Sequence, residues 1–200
     1  MLEGLTILGR TMGFSLAAGV NLYATVAILG LASRYQWVSL PEQFKVFDNP
    51  WIIGAAAVLY VVEFVADKVP WVDSIWDSVH TLIRPVGGAV IAVATLGEQS
   101  PAMQGLIALL GGVVAASSHV TKASTRVAAN ASPEPFSNWF LSLAEDAFVI
   151  GLSFLTLKFP LLALGVSVVI LVLIVLIARK IWKWLRGVTA PTIEPPLSTG

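Results

Sequence analysis

The chain has 200 residues, of which 56% are hydrophobic and 12% are charged; its mean hydropathy is +0.83 and its formal net charge is zero. Soluble domains carry about 25% charged residues, so the surface of this protein cannot face water throughout. The neutral charge gives no support to nucleic-acid binding, and the lack of cysteine excludes disulfides and thiolate metal sites. The composition therefore predicts an all-α, polytopic helical membrane protein.

Long apolar segments predict about six membrane spans, some of them short or broken. The first segment exceeds the roughly 20 residues that a span needs, and we expect it to break near Gly19-Val20-Asn21. The third segment is too short to cross alone, so it is either a half-helix or a continuation of a preceding helix that ends or kinks at Arg84-Pro85. The predicted segments are residues 5–33, 51–66, 86–97, 102–118, 139–157 and 161–178.

These spans predict a single transmembrane domain over residues 1–186, followed by a disordered cytoplasmic tail, rich in Pro, Ser and Thr, over residues 187–200. Basic residues after the last span place the C-terminus in the cytoplasm under the positive-inside rule, and six spans place the N-terminus on the same side. Residues 1–97 and 102–180 each hold three crossings, an arrangement that admits a 3+3 inverted repeat. The two halves share little sequence beyond glycines and other small residues.

Acidic and basic residues recur at helical spacing inside this apolar chain. Those between 73 and 84 are spaced by four, three and four residues, so they occupy one face of a helix predicted over 71–84. A charge at the centre of a bilayer costs roughly 2.5–3.5 kcal/mol on insertion scales, so such residues normally face a bundle interior or a cavity. The residues expected to line an ion or substrate pathway are Asn21, Glu63, Asp67, Asp73, Asp77, His80, Arg84, His119, Lys122, Arg126, Glu145 and Asp146.

Each of these groups also has a purely structural interpretation. The helix over 71–84 can lie on the membrane surface with its polar face in water. The basic residues between 119 and 126 can mark the cytoplasmic end of a span, and Ser142 with Glu145 can form a capping box. Glu63 and Asp67 can serve only as structural partners of Lys68 or Lys122.

We expect the 73–84 face to turn inward and to contact the face formed by residues 119–126. One face is rich in acids and the other in bases, and leaving either in lipid would cost several kcal/mol. Facing each other, the two sets can pair and satisfy their hydrogen bonds.

No metal ligand set can be assigned from the sequence. Carboxylates together with His80 offer the oxygen and imidazole ligands that suit a divalent cation. A compact motif such as HExxH or an EF-hand loop is absent from the sequence. We therefore expect no cofactor, with a divalent cation as the one candidate.

Four stretches of the chain resemble the bacterial membrane protein family grouped as domain of unknown function 4126. They are AAGVNLYATVAILGLASR, EFVADKVPWVDSIWDSVHTLIRPVGGA, HVTKASTR and SLAEDAF, within residues 13–160, and the DKVPWVD and RPVGGA pieces are the specific ones. The resemblance implies an integral protein of the bacterial inner membrane. It carries no activity over to this chain.

The polar residues and the broken spans favour a small transporter or channel-like translocator for an ion or a small charged solute. In this interpretation the acids bind a cation or relay protons, and the two histidines titrate near neutral pH. The alternatives are a membrane-embedded enzyme or flippase acting on a phosphate-bearing lipid headgroup, and an assembly subunit of a membrane complex. The sequence lacks nucleophile-elbow, P-loop and Rossmann signatures, so an enzyme is the less favoured class.

The expected partners follow from the size of the chain. A bundle of 200 residues is thin, so we expect a homodimer surrounded by membrane lipid, with no nucleic-acid partner.

Overall fold

The fold is all-helical. A computed structural model describes residues 2–130 and 135–188; of these described residues 89% are helical and none lies in a strand. A short 3₁₀ helix, Glu42–Asp48, precedes the third of the α-helices. The α-helices are α1 Leu2–Val20, α2 Leu22–Arg34, α3 Pro50–Ala66, α4 Pro70–Ala94, α5 Pro101–Asn130, α6 Pro135–Lys158 and α7 Pro160–Val188.

Prolines set where most of these helices begin. Proline lacks a backbone N–H and has a preset φ, so it suits the first helical turn, and each of α3 to α7 begins at one. The connection between α6 and α7 is the single residue Phe159. The described part of α7 reaches Val188, two residues into the predicted tail, and residues 189–200 lie outside the described residues.

The break expected near Asn21 is confirmed. Asn21 has an extended backbone (φ −146°, ψ 100°) between α1 and α2. Its side-chain oxygen accepts a hydrogen bond from the Ala24 amide at 2.9 Å, which caps the new helix at its N-terminus. The first apolar segment is therefore two helices joined at one residue.

Of the two alternatives for residues 86–97, continuation of the preceding helix is confirmed, and the separate half-helix and the helix end at Arg84-Pro85 are wrong. Helix α4 runs through Arg84 and Pro85 and ends at Ala94. An internal proline costs about 3 kcal/mol. Close packing on both sides offsets this cost, because the backbone at Gly87 and Gly88 lies directly against side chains of α2 and α5.

Helix α1 lies at the centre of the bundle. It packs against α4, α5, α6 and α7, and all of residues 11–20 are buried. Helix α7, by contrast, exposes most of its apolar side chains, which is the pattern of a helix that faces lipid. The apolar core is therefore built around α1, with α7 on the outside.

Three helices are long and apolar enough to cross a membrane: α5, residues Ser137–Lys158 of α6 and residues Pro160–Lys183 of α7. The 3₁₀ helix and α3, which meet at a bend of 63°, raise the number to four if they form one span. Charged side chains lower the hydropathy of α1 and α4, and α2 has only 13 residues. Length and composition thus identify only three or four of the six predicted spans.

Replacing Gly19 with alanine tests the close approach of α1 to α5. A methyl group there would overlap the Ser118 hydroxyl and the Ala115 carbonyl, so we expect a loss of about 1–3 kcal/mol in the free energy of unfolding. Gly54→Ala on α3 is the matched control, because nothing lies within 4 Å of the added methyl group. Thermal unfolding in detergent, followed by circular dichroism, measures both. Equal stability of the two variants would contradict this packing.

Candidate functional site: a buried network of charged side chains

The polar face of α4 points into the protein. Its four titratable residues are at most 5% exposed, whereas Trp71 and Leu82 on the other side of the helix are exposed. The expectation that the 73–84 face turns inward is confirmed, and the surface-helix alternative is wrong. This helix therefore places its charges in the bundle and its apolar side chains on the surface.

The predicted contact with the 119–126 face is also confirmed. Arg84 Nη1 donates to His119 Nδ1 at 2.7 Å, and the Thr81 hydroxyl lies 3.2 Å from His119 Nε2. Further along, Asn130 Nδ2 donates to Asp73 Oδ2 at 2.9 Å. Side chains of α4 and α5 thus meet along several turns.

The pairing across this contact differs from the prediction, which joined the acids of α4 to the bases of α5. Among the described ion pairs, the acids closest to Lys122 and Arg126 come instead from α3 and α6. Lys122 Nζ lies 3.1 Å from Glu63 and 3.3 Å from Asp67. Arg126 Nη2 lies 2.8 Å from Asp67 and 2.5 Å from Glu145. The bases of α5 therefore join α3 to α6.

The acids of α4 have different partners. Arg84, on the same helix, reaches Asp77 at 3.1 Å and Glu63 of α3 at 2.7 Å. Because Arg84 pairs with the carboxylates of Asp77 and Glu63, Asp77 has its cationic partner on its own helix and not on α5. Helical spacing identified the charged faces, but it carried no information on how the helices are rotated toward each other.

Arg126 also contacts the backbone at the ends of two helices. Its Nη1 donates to the backbone oxygen of Asp67, which is the C-cap of α3, at 3.0 Å. The same atom contacts the backbone oxygen of Asn138 near the start of α6 at 3.4 Å. A cation at a helix C-terminus stabilises the helix dipole, so this guanidinium both neutralises acids and holds α3 in place.

The contacts of the two histidines place their protons differently. Arginine can only donate, so His119 Nδ1 accepts from Arg84 and its proton sits on Nε2. His80 carries a proton on Nδ1, which lies 2.7 Å from the Trp76 carbonyl, and its Nε2 lies 2.8 Å from the Tyr23 hydroxyl. Protonating His119 would therefore break its contact with Arg84.

The break between α1 and α2 belongs to the same network. Asn21 Nδ2 donates to Asp146 Oδ1 at 3.4 Å, and Arg84 Nη1 reaches the Gly19 carbonyl at the end of α1, also at 3.4 Å. A cation is thereby placed at the negative end of α1. All twelve predicted residues fall in one region of the bundle: eleven are buried and Glu145 is 13% exposed on its side chain.

The network holds more acids than bases. Arg84, Lys122 and Arg126 are shared by four carboxylates: Glu63, Asp67, Asp77 and Glu145. Two further buried acids, Asp73 and Asp146, have amide partners from asparagine and form no ion pair among the described residues. One oxygen of each, Asp73 Oδ1 and Asp146 Oδ2, has no hydrogen-bond partner.

The structure offers no preformed metal site. Within the part of the chain that it describes, no group of three or more His, Asp or Glu side chains is arranged to hold a metal ion. The divalent cation considered from the sequence has no ligand set in these residues.

Sequence reasoning missed several partners of the network. Tyr23 contacts His80, and Thr81 contacts both His119 and the Asp77 carbonyl. Thr81 follows Asp77 by four residues, so helical spacing would have placed it beside the charged face. Helical spacing did not point to Tyr23, because Tyr23 lies in the first turn of α2, and the break at Asn21 sets its position beside His80.

These features define the class: an all-helical, membrane-type protein that encloses a network of charged side chains. The chain matches the family model described as domain of unknown function (DUF4126) over residues 8–180, and it belongs to that family. The match confirms the resemblance seen in the sequence and extends it at both ends. No curated protein and no solved structure matches the chain significantly.

A cysteine pair tests the contact between α4 and α5 in a chain that has no cysteine of its own. We expect Thr81→Cys/His119→Cys to be joined by a short bis-methanethiosulfonate cross-linker, because the Thr81 hydroxyl lies 3.2 Å from His119 Nε2 and the linker makes up for the shorter cysteine side chains. Leu82→Cys/His119→Cys is the control, since Leu82 is 76% exposed on the opposite side of α4. A gel-mobility shift reports the cross-link. Cross-linking of the control alone would contradict the described rotation of α4.

Removing a central cation tests the energetics of the network. Arg84→Ala leaves Glu63 and Asp77 without this partner, so we expect a loss of about 3–5 kcal/mol in the free energy of unfolding. Arg34→Ala removes a surface pair with Asp48, whose side chains are 44% and 36% exposed, and should cost at most about 1 kcal/mol. Denaturant unfolding in detergent measures both. Similar losses for the two variants would show that Arg84 is not buried in an ionic network.

Proposed function

We propose that the protein is a small integral membrane transporter or channel-like translocator for an ion or small charged solute, and that what it takes up is a cation or a proton. The excess of buried acid is the observation that carries this proposal. A buried carboxylate without a cation is costly, so Asp73 and Asp146 are each suited to gaining a proton or a cationic ligand.

The break at Asn21 supports the same function. Transporters commonly bind ions where a membrane helix is interrupted, because the interruption frees backbone groups and helix ends for binding. Here the interruption lies directly beside Asp146, and Asn21 links the two. Asp146 is therefore the acid that we assign to uptake of the proton or cation.

The proposed membrane arrangement keeps the sequence-based expectations. It has six crossings, the first formed by α1 together with α2 and the others by α3, α4, α5, α6 and α7, with both termini in the cytoplasm of a bacterial cell and a homodimer in the inner membrane. The basic residues Arg179 and Lys180 near the end of α7 support a cytoplasmic C-terminus. A 3+3 inverted repeat is part of this arrangement.

The lipid-headgroup alternative gains less support from the geometry. Recognition of a phosphate needs free cationic donors. Both terminal nitrogens of Arg84, the ammonium of Lys122 and the guanidinium of Arg126 already contact protein acceptors. An assembly subunit could contain the same network, and a flux measurement separates it from a translocator.

Asp146→Asn tests the proposal in liposomes loaded with a pH-sensitive dye. We expect the wild-type protein to carry protons, or a monovalent cation in exchange for protons, and Asp146→Asn to lower the flux to that of empty liposomes. The amide keeps the shape of the side chain but cannot ionise, so stability should be unchanged or higher. Glu42→Gln, on an exposed pair with Lys45, is the matched control for loss of an acid.

Two results would contradict the proposal. The first is wild-type flux no higher than that of empty liposomes for protons, monovalent cations and small anions. The second is full flux in a folded Asp146→Asn protein.

A further inference from the structure

A cavity of about 290 Å³ reaches the charged network from the side of α7. It lies among α1, α5, α6 and α7, and two network residues, Lys122 and Glu145, line it. Most of the remaining wall is apolar, formed by Leu16, Val20, Leu141, Phe148, Ile170 and Ile174. A charged end and an apolar wall are the two halves of a site for an amphiphilic molecule.

The cavity continues into a longer groove between α5 and α7. This groove has a volume of about 710 Å³ and shares Thr121, Thr125 and Ile174 with the cavity. It opens on the apolar surface of α7, the surface that faces lipid in the proposed arrangement. An apolar tail can therefore enter from the lipid while its polar end approaches Glu145.

The hydrogen-bond donors of the cavity are already occupied. Lys122 Nζ is directed at three carboxylates, at 3.1, 3.3 and 3.7 Å. The hydroxyls of Thr121 and Thr125 donate to backbone carbonyls one turn back, each at 2.8 Å, and the Ser118 hydroxyl donates to the Leu16 carbonyl at 3.0 Å. A ligand that needs donors from the protein finds none among these groups.

The hydrogen-bond acceptors of the cavity remain open. A hydroxyl that donates still has lone pairs, so Thr121 and Thr125 can accept. Glu145 Oε1 has a single described contact, with Arg126 Nε at 3.1 Å, and this side chain is the most exposed acid of the network. Counted over the whole network, four carboxylates surround three cations, which leaves an excess of one negative charge. A positively charged donor is the complementary group.

We propose that the cavity binds a lipophilic amine, with the protonated amino group at Glu145 and the apolar tail in the groove between α5 and α7. This inference goes beyond the proposed function, which assigns uptake of a proton or cation to Asp146, because it adds a separate amine site at Glu145. The amino group of a lipid headgroup and that of a free alkylamine share this chemistry.

Photolabelling tests the inference with the whole protein in phosphatidylcholine nanodiscs. The probe is a dodecylamine with a diazirine in its tail, and the matched probe is the corresponding alcohol. We expect the amine to label α5 and α7 peptides saturably and the alcohol to bind at least about tenfold more weakly, the factor of a hydrogen bond to a charged group. Competition by phosphatidylethanolamine identifies a lipid as the source of the amine, and competition by dodecylamine alone identifies a free amine.

Two variants locate the site. Ile174→Trp fills the groove and should abolish saturable labelling, whereas Val169→Trp, on a part of α7 outside both the cavity and the groove, should not. Glu145→Gln should weaken labelling by the amine and leave that by the alcohol unchanged. Because Glu145 also holds Arg126, Ile174→Trp keeps the test valid if Glu145→Gln does not fold.

Equal labelling by amine and alcohol, or labelling unaffected by Ile174→Trp, would overturn the inference. Labelling needs no transport, so its outcome is separate from that of the flux assay. Cation flux without amine binding would leave the proposed function standing and remove this inference. Amine binding without any flux would support the amine site and contradict the claim of translocation.

Discussion

Asp67 is the residue on which the interior of this protein depends. Its backbone N–H caps the C-terminus of α3, and its carboxylate accepts from both Lys122 and Arg126 of α5. Arg126 in turn carries the contact on to Glu145 of α6. One carboxylate therefore sets the mutual position of three helices. In an apolar surrounding such a link is strong only while every member is present, since removing one leaves its partners buried and uncompensated.

Unpartnered buried atoms in the network lie mostly on acids. Each guanidinium or ammonium group contacts two or more carboxylate, carbonyl or imidazole acceptors, and Arg84 Nε is the one nitrogen of the three cations left without a partner, whereas oxygens of Glu63, Asp73, Asp77 and Asp146 have no hydrogen-bond donor among the described residues. A purely structural cluster of this size would be expected to balance its charges, because unpaired buried charge lowers stability. The imbalance is what supports the proposed uptake of positive charge.

The sequence predicted the faces of the helices better than their partners. Spacing along α4 and α5 identified two buried stripes, and Gly19-Val20-Asn21 indicated the break that the structure contains. The pairing of Glu63 with Lys122, one of two lysines considered for it, is confirmed. Spacing within one helix says nothing about rotation of the next, so the pairing of Arg126 with Glu145 was not predictable in this way. The prediction of a helix end at Pro85 failed for a related reason: the tendency of proline to break a helix was outweighed by packing between helices.

The single residue between α6 and α7 limits how the bundle can rearrange. Phe159 donates its amide to Leu155 of α6, and its carbonyl accepts from Ala163 of α7, so the connection has no slack. We therefore expect α6 and α7 to move together. Widening of the space between α5 and α7 would then also shift Glu145 and Asp146. Entry of an amine from the lipid side, as proposed above, would be coupled in this way to rearrangement of the charged interior.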